Sequence, residues 1–190
     1  MPPKIKFTKE QILDAAFRIA NDDGFDNVSI RKVAAALGSS ISPMYVNFKN
    51  IDELKYGLAE KITRFTTEVM VAVQTHDPFL DIGAGNIKLA MEYTQLFRDY
   101  HMNPNCRRYF THTQEHKDKL LEKMAASSKL NGMSEKEMLE ILQVMVYLTY
   151  GIIFEYIQGG NGKTYSEIIK YMETIADNYI AGYKLKKRVQ

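Results

Sequence analysis

Apolar residues recur along this chain at spacings of three and four, which marks helices with one buried face. Ile12, Ala15, Ala16, Ile19 and Ala20 form the first such stripe. Thr8 and Gln11 precede it as a capping box: the hydroxyl takes a free backbone N–H and the glutamine reaches back. Gly24 is placed to close the helix in a conformation that other residues resist. Ser29 caps a second helix carrying Ile30, Val33, Ala34 and Leu37, and Gly38 ends it. Pro43, at a first-turn position, starts a short third helix that runs to about Lys49.

From Asp52 the scale changes. Leu54, Leu58, Ile62, Phe65, Val69 and Val73 make one long stripe, linking the first three helices to the rest of the chain. Asp77 and Pro78 predict the cap and first turn of the next helix, which carries Ile82, Ile87, Met91, Thr94 and Phe97. "HMNPN" breaks it, and Asn103 with Pro104 predicts a restart. Ser127, Asn131 and Gly132 mark a loop. Ser134 with Glu137, and Thr164 with Glu167, are two more capping boxes. They open the last two helices, on either side of "QGGNGK". No alternating strand pattern appears. The reading is an all-α chain of about nine helices, with a three-helix head over residues 1–50 and a six-helix body over 51–190.

Between Met138 and Ile157 the polar residues are few, so that helix needs cover on most sides. The last helix carries a long stripe of its own. An intramolecular core is one way to cover both. A partner subunit is the other, because two such helices from each chain make a four-helix bundle. That second reading assigns Ile141, Leu148, Ile152, Ile168, Met172, Ile175 and Tyr179 to a homodimer interface.

Composition changes the picture little. The chain has 190 residues, 45% of them hydrophobic and 25% charged, with a net charge of +2. Such totals are ordinary for a soluble globular protein. Neither an apolar run of about 20 residues nor an apolar signal core is apparent, so no membrane partner and a cytoplasmic location are expected. Cys106 stands alone, which excludes an internal disulfide and fits a reducing compartment. Arg107 and Arg108 after it, and Pro104 before it, favour a thiolate and leave a redox switch open beside an idle packed side chain.

Residues 29–49 read as helix, glycine-led turn and short second helix, which is a helix-turn-helix pattern. A second helix this short suits the major groove, about 12 Å wide. The stretch "TKEQILDAAFRIANDDGFDNVSIRKVAAALGSSISPMYVNFKNIDEL" resembles the DNA-binding region of TetR-family (tetracycline-repressor-like) transcriptional regulators. The matches are Ile12, Leu13, Ala15, Ala16, Gly24, Ser29, Val33, Ala34, Leu37, Gly38, Met44, Tyr45, Phe48, Lys49, Asn50, Glu53 and Leu54. The resemblance implies a ligand-responsive regulator, most often a repressor, that binds a palindromic double-stranded DNA operator as a homodimer and is released by a small-molecule effector. It implies no enzyme activity, no cofactor and no metal. Carried over by residue, Ser29 touches phosphate while capping its helix, and Arg31 reaches a phosphate or a guanine edge. Ile41, Ser42 and Pro43 open the recognition helix, Tyr45 bonds phosphate, and Asn47 faces the backbone. Ile51 departs from the lysine usual at that position, and Lys49 or the basic N-terminus would make up the charge.

The effector pocket is expected among Phe65, Met91, Phe110, Met145, Tyr150, Phe154 and Glu155, which suit an apolar or aromatic ligand. Glu155 either reaches water at its helix end or is buried with a cationic partner. A competing reading is a zinc-dependent hydrolase built on "HTQEH", with His112 and His116 as ligands and Glu115 as base. No second motif marks the third ligand. "GGNGKT" lacks the spacer of a phosphate-binding loop.

Overall fold

The computed structural model describes residues 7–110, 114–160 and 162–189. Nine α-helices occur among them: α1 (Lys9–Asp23), α2 (Ile30–Ala36), α3 (Ser42–Asn47), α4 (Ile51–Ala72), α5 (Pro78–Glu92), α6 (Thr94–His101), α7 (Gln114–Ala125), α8 (Glu135–Ile157) and α9 (Tyr165–Val189). No strand occurs among the described residues, and the all-α expectation holds.

The caps form as the sequence predicts. The Thr8 amide donates to Gln11 Oε1 at 2.9 Å and the Gln11 amide to Thr8 Oγ1 at 3.2 Å. Ser134 with Glu137 and Thr164 with Glu167 repeat the reciprocal pair. Gly24, at φ +98°, closes α1 by donating to the Ala20 carbonyl at 3.0 Å.

Two expectations fail. The helix opened by Pro78 does not run through Phe97. It stops at Glu92, and α6 starts after Tyr93, whose ψ of 50° leaves the helical region. Periodicity could not see this, because Phe97 still donates to the Tyr93 carbonyl at 2.9 Å, so the spacing survives the break. Asn103 and Pro104 do not restart a helix either. The Asn103 side chain accepts from the Asn105 amide at 3.0 Å, a local turn that competes with helix. Cys106 and Tyr109 then close successive turns onto the Asn103 and Cys106 carbonyls.

The chain forms two compact units that do not follow chain order. One holds residues 1–66 and 93–112, the other 67–92 and 113–190. The first therefore contains the whole expected head, 1–50, together with most of α4, α6 and the turns after it. Ile12, Ala16, Val33, Met44, Phe48, Leu54, Leu58 and Leu96 fill its core. One buried charge sits at its edge. The Asp99 carboxylate accepts from the Phe25 amide at 2.7 Å, from Gln95 at 3.3 Å and from Asn103 at 3.2 Å. Three donors satisfy a group that would otherwise be costly to bury. They also fix the turn that separates α1 from α2. Lys61 of α4 bridges to α1 through Asp14, at 2.8 Å, and Glu10.

In the second unit α5, α7, α8 and α9 enclose Phe79, Ile82, Met124, Leu130, Ile141, Met145, Ala176 and Ile180. Ile141, Ile168 and Met172 are buried inside this single chain, so they have no surface to offer a partner. Leu148, Ile152, Ile175 and Tyr179 are half-buried. Beyond its first turn, the exposed positions of α8 are instead Glu140, Gln143, Val144, Tyr147, Gly151, Phe154 and Glu155, a stripe at helical spacing. An 18-residue window of α8 has a mean hydropathy of 1.4, so this helix is long and apolar enough to cross a membrane by length and composition. Single polar residues interrupt α8, so its sequence contains no unbroken apolar run.

A charged network ties the second unit together. Lys129 Nζ lies 2.6 Å from Asp177, 3.2 Å from Asp77 and 3.4 Å from Glu173. Lys123 Nζ lies 2.9 Å from Asp81, which also accepts from the Thr75 amide at 2.6 Å. Burial opposes ionisation of Asp77 and Asp81. Ser127, the Phe79 amide and Lys129 outweigh it for Asp77, and Lys123 with Thr75 for Asp81, so both stay below the ordinary 3.8. A carboxylate with a lowered folded pKa adds stability above its ordinary pKa and loses it as pH falls through the folded value. The second unit is accordingly expected to lose stability as pH drops below 3.8. Lys129→Met leaves Asp77 buried without its cation and is expected to cost about 3 kcal/mol. Urea denaturation at neutral and acid pH measures both.

Candidate nucleic-acid interface

α3 has six residues, too few to be stable alone. It is held by two side chains four apart. Met44 and Phe48 are 0% and 1% exposed and sit in the core of the first unit. Burying residues of this size is worth about 1.5–3 kcal/mol each. That anchoring turns the opposite face outward. Ile41, Tyr45 and Val46 are 44%, 54% and 55% exposed, and Ser42 and Lys49 are exposed beside them.

α2 supports this arrangement. Ser29 Oγ accepts from the Lys32 amide at 3.2 Å and caps the helix, while Val33 and Ala34 are buried. Its C-terminus closes as a paired turn: Ser39 donates to the Ala34 carbonyl at 2.9 Å and Gly38 to Ala35 at 3.0 Å. This needs the left-handed φ of +60° at Gly38, which glycine adopts at little cost. The chain then turns into α3, whose first turn no side chain caps. Uncapped amides at a helix start are open to an anion.

Of the eight predicted site residues, Arg31, Ile41, Ser42, Tyr45 and Lys49 are exposed, and Ser29 and Pro43 are half-buried next to them. Asn47 is used differently. Its amide nitrogen donates to the Phe7 carbonyl at 3.2 Å and to Pro43 at 3.1 Å, which holds the segment before α1 against α3. Val46 was missed, because an isolated valine in a short helix reads as core. Its place opposite Met44 and Phe48 on a 3.6-residue period is the signal that could have found it.

Ile51 does not face outward either. It packs against the core of this unit, and the exposed residues at the start of α4 are Asp52 and Tyr56. Asp52 accepts a hydrogen bond from the Tyr109 phenol and lies 3.2 Å from Arg108 Nη2.

The expected effector residues are divided between the two units. Phe65 packs on Phe17 and Tyr93, with ring centroids 5.0 and 4.8 Å away, and Phe110 packs on Phe25 and Tyr100 at 5.3 and 5.0 Å. Both belong to the first unit. Met91 is half-buried in the second. Met145 and Tyr150 line a cavity of about 50 Å³ with Phe79, Ile82, Gly83, Asn86, Leu142, Thr149 and Met172. Phe154 is 57% exposed. Glu155 is exposed at the end of α8, the helix-end alternative, and borders an open groove of about 490 Å³.

The zinc motif gains no support. His112 and the side chains of Glu115 and His116 lie outside the described residues, and no metal-binding group of three His, Cys, Asp or Glu occurs among the described ones. The redox reading of Cys106 is corrected. No helix starts there, and the thiol is fully buried. Burial, together with the charges of Asp99 and Asp26, pushes it up to about 12. Native Cys106 is expected to react at pH 8 at least ~100-fold more slowly than a free thiol, and at the free rate once unfolded. A timed thiol-titration assay in buffer and in denaturant checks this.

A core-anchored helix, a glycine turn and a short outward-facing second helix define a helix-turn-helix protein. Residues 12–55 match the family described as bacterial regulatory proteins, tetR family. Over 54 residues it is 33% identical to the HTH-type nicotine-responsive transcriptional repressor HdnoR of Paenarthrobacter nicotinovorans, a stretch that spans only 28% of each protein. Along nearly its whole length it shares the fold of solved regulators. A TetR-like transcriptional regulator from Rhodococcus sp. RHA1 superimposes with a TM-score of 0.62 at 17% identity, covering 92% of this chain and 96% of that one. A TetR variant from Acinetobacter baumannii AYE in complex with minocycline gives 0.60 at 17% identity, covering 94% and 97%.

Proposed function

We propose that this protein is a ligand-responsive, sequence-specific DNA-binding repressor that acts as a homodimer in the cytoplasm. The observation that carries the reading is the outward face of α3, whose apolar and hydroxyl side chains surround a helix pinned by Met44 and Phe48. In the major groove Ile41 and Val46 would meet thymine methyl groups, and Ser42 a base edge. Tyr45, Ser29 and Lys49 would hold phosphates, and Arg31 a phosphate or guanine. Asn47 acts indirectly, by fixing α3.

The dimer rests on α8. Only 22% of its apolar window is buried within the chain. Val144, Tyr147 and Phe154 form its open face, and Gly151 among them has nothing within 4 Å of where a side chain would start. A second copy laid across α8 and α9 covers this surface and can approach closely at Gly151. Leu148, Ile152, Ile175 and Tyr179 would border the contact.

The effector reading rests on the cavity beneath Met145 and Tyr150, with support from the minocycline complex of the structural neighbour. Its apolar lining selects an apolar or aromatic ligand. Pockets for such ligands measure about 300–1,000 Å³, so this one must widen to be filled. A ligand that binds only the widened state draws the population toward it. Release of DNA results if that state misplaces the two recognition helices.

Fluorescence anisotropy on DNA flanking the gene, against a scrambled duplex, tests the function. Tight binding to the native duplex alone is expected, with Arg31→Ala and Tyr45→Phe each weakening it about 5- to 10-fold. Equal, weak binding to both duplexes would contradict it.

A further inference from the structure

A surface that meets DNA must not leave its own carboxylates facing phosphate. In the first unit several acidic side chains of α1 and α4 have partners of their own. Asp14 and Glu10 pair with Lys61, and Asp23 pairs with Lys32. Glu53 accepts from the Lys49 amide at 2.6 Å. Asp52 lies in the first turn of α4, with 52% of its side chain exposed. Its cation does not come from the helix-turn-helix. It comes from Arg108, beyond α6, whose Nη2 lies 3.2 Å away.

Arg108 is held in place by its surroundings. Asn103 donates to Asp26 at 3.0 Å, Cys106 is fully buried, and the Tyr109 ring lies 5.3 Å from Phe25 and 5.0 Å from Tyr56. The turn carrying Arg108 is thereby clamped to the start of α4. Nη2 makes the contacts to Asp52 and to the Tyr109 hydroxyl. The side chain is still 68% exposed. A guanidinium is a planar fork with five N–H donors, suited to gripping carboxylate on one edge and phosphate on another.

We infer that Arg108 is a DNA-backbone contact, delivered from outside the helix-turn-helix to the junction of α3 and α4, where it neutralises Asp52 and takes a phosphate. This rests on the DNA-binding reading above, and the partner it fits is duplex DNA.

The test is the salt dependence of binding to the gene-flanking duplex. Each phosphate contact contributes about 0.9 to the slope of log affinity against log salt. Arg108→Gln is expected to lower that slope by about 0.9, and Arg108→Lys to keep it. Arg108→Met, which retains the aliphatic stem, must repeat the loss. Tyr109→Phe loosens the same clamp but leaves the charge, so it must keep the wild-type slope. Neutral variants with the wild-type slope would overturn the inference alone, including where only their melting temperature falls. Wild-type protein that does not distinguish the native duplex would overturn the regulator reading, and this inference with it.

Discussion

A six-residue helix cannot hold itself together, and the whole helix-turn-helix depends on how that is overcome. α3 exists because Met44 and Phe48 are buried in a core made by α1, α2 and α4. The same two anchors decide which face looks out. Their loss would remove the helix itself, and with it the outward face of Ile41, Tyr45 and Val46. The Schellman-type turn at Gly38 and the Asn47 bonds then set the direction from which α3 leaves α2 and the place where the preceding segment lies.

Two polar nodes do for the units what those apolar anchors do for the helix. Asp99 collects three donors at the turn between α1 and α2. Lys129 gathers three carboxylates of the second unit, Asp77 ahead of α5 and Glu173 and Asp177 on α9. Buried charges of this kind add little net stability over apolar packing, but losing one partner is costly. They specify where loops sit. Because α6 and its following turns belong to the head's unit, the chain passes between units three times, at 66/67, 92/93 and 112/113. A change in one unit thus has three covalent routes to the other.

Much of this was legible beforehand, and for physical reasons. Capping boxes are local, so Thr8, Ser134 and Thr164 announced their helices from four residues apiece. The head was legible because its buried and turn positions are narrowly constrained: only glycine suits Gly38, and only apolar residues suit Val33 and Met44. What could not be read was tertiary. The stripe from Ile82 to Phe97 keeps its spacing across the break at Tyr93, and a thiol between arginines looks reactive until its burial is known. Residue type also does not tell pocket from core, and the expected effector residues fall in both units. Ile141 and Met172 looked available to a partner because amphipathic stripes do not say which neighbour covers them. The face left open, at Tyr147 and Phe154, is the one the chain itself does not fill.

The central claim is that two copies present two recognition helices to one stretch of DNA. Sedimentation of the protein with the gene-flanking duplex, read together with a hydroxyl-radical footprint, tests it most directly. Two chains per duplex, protecting two inverted half-sites about 34–36 Å apart along one face, are what the account predicts. One chain per duplex over a single half-site, with Tyr147→Asp and Phe154→Asp leaving affinity unchanged, would contradict it.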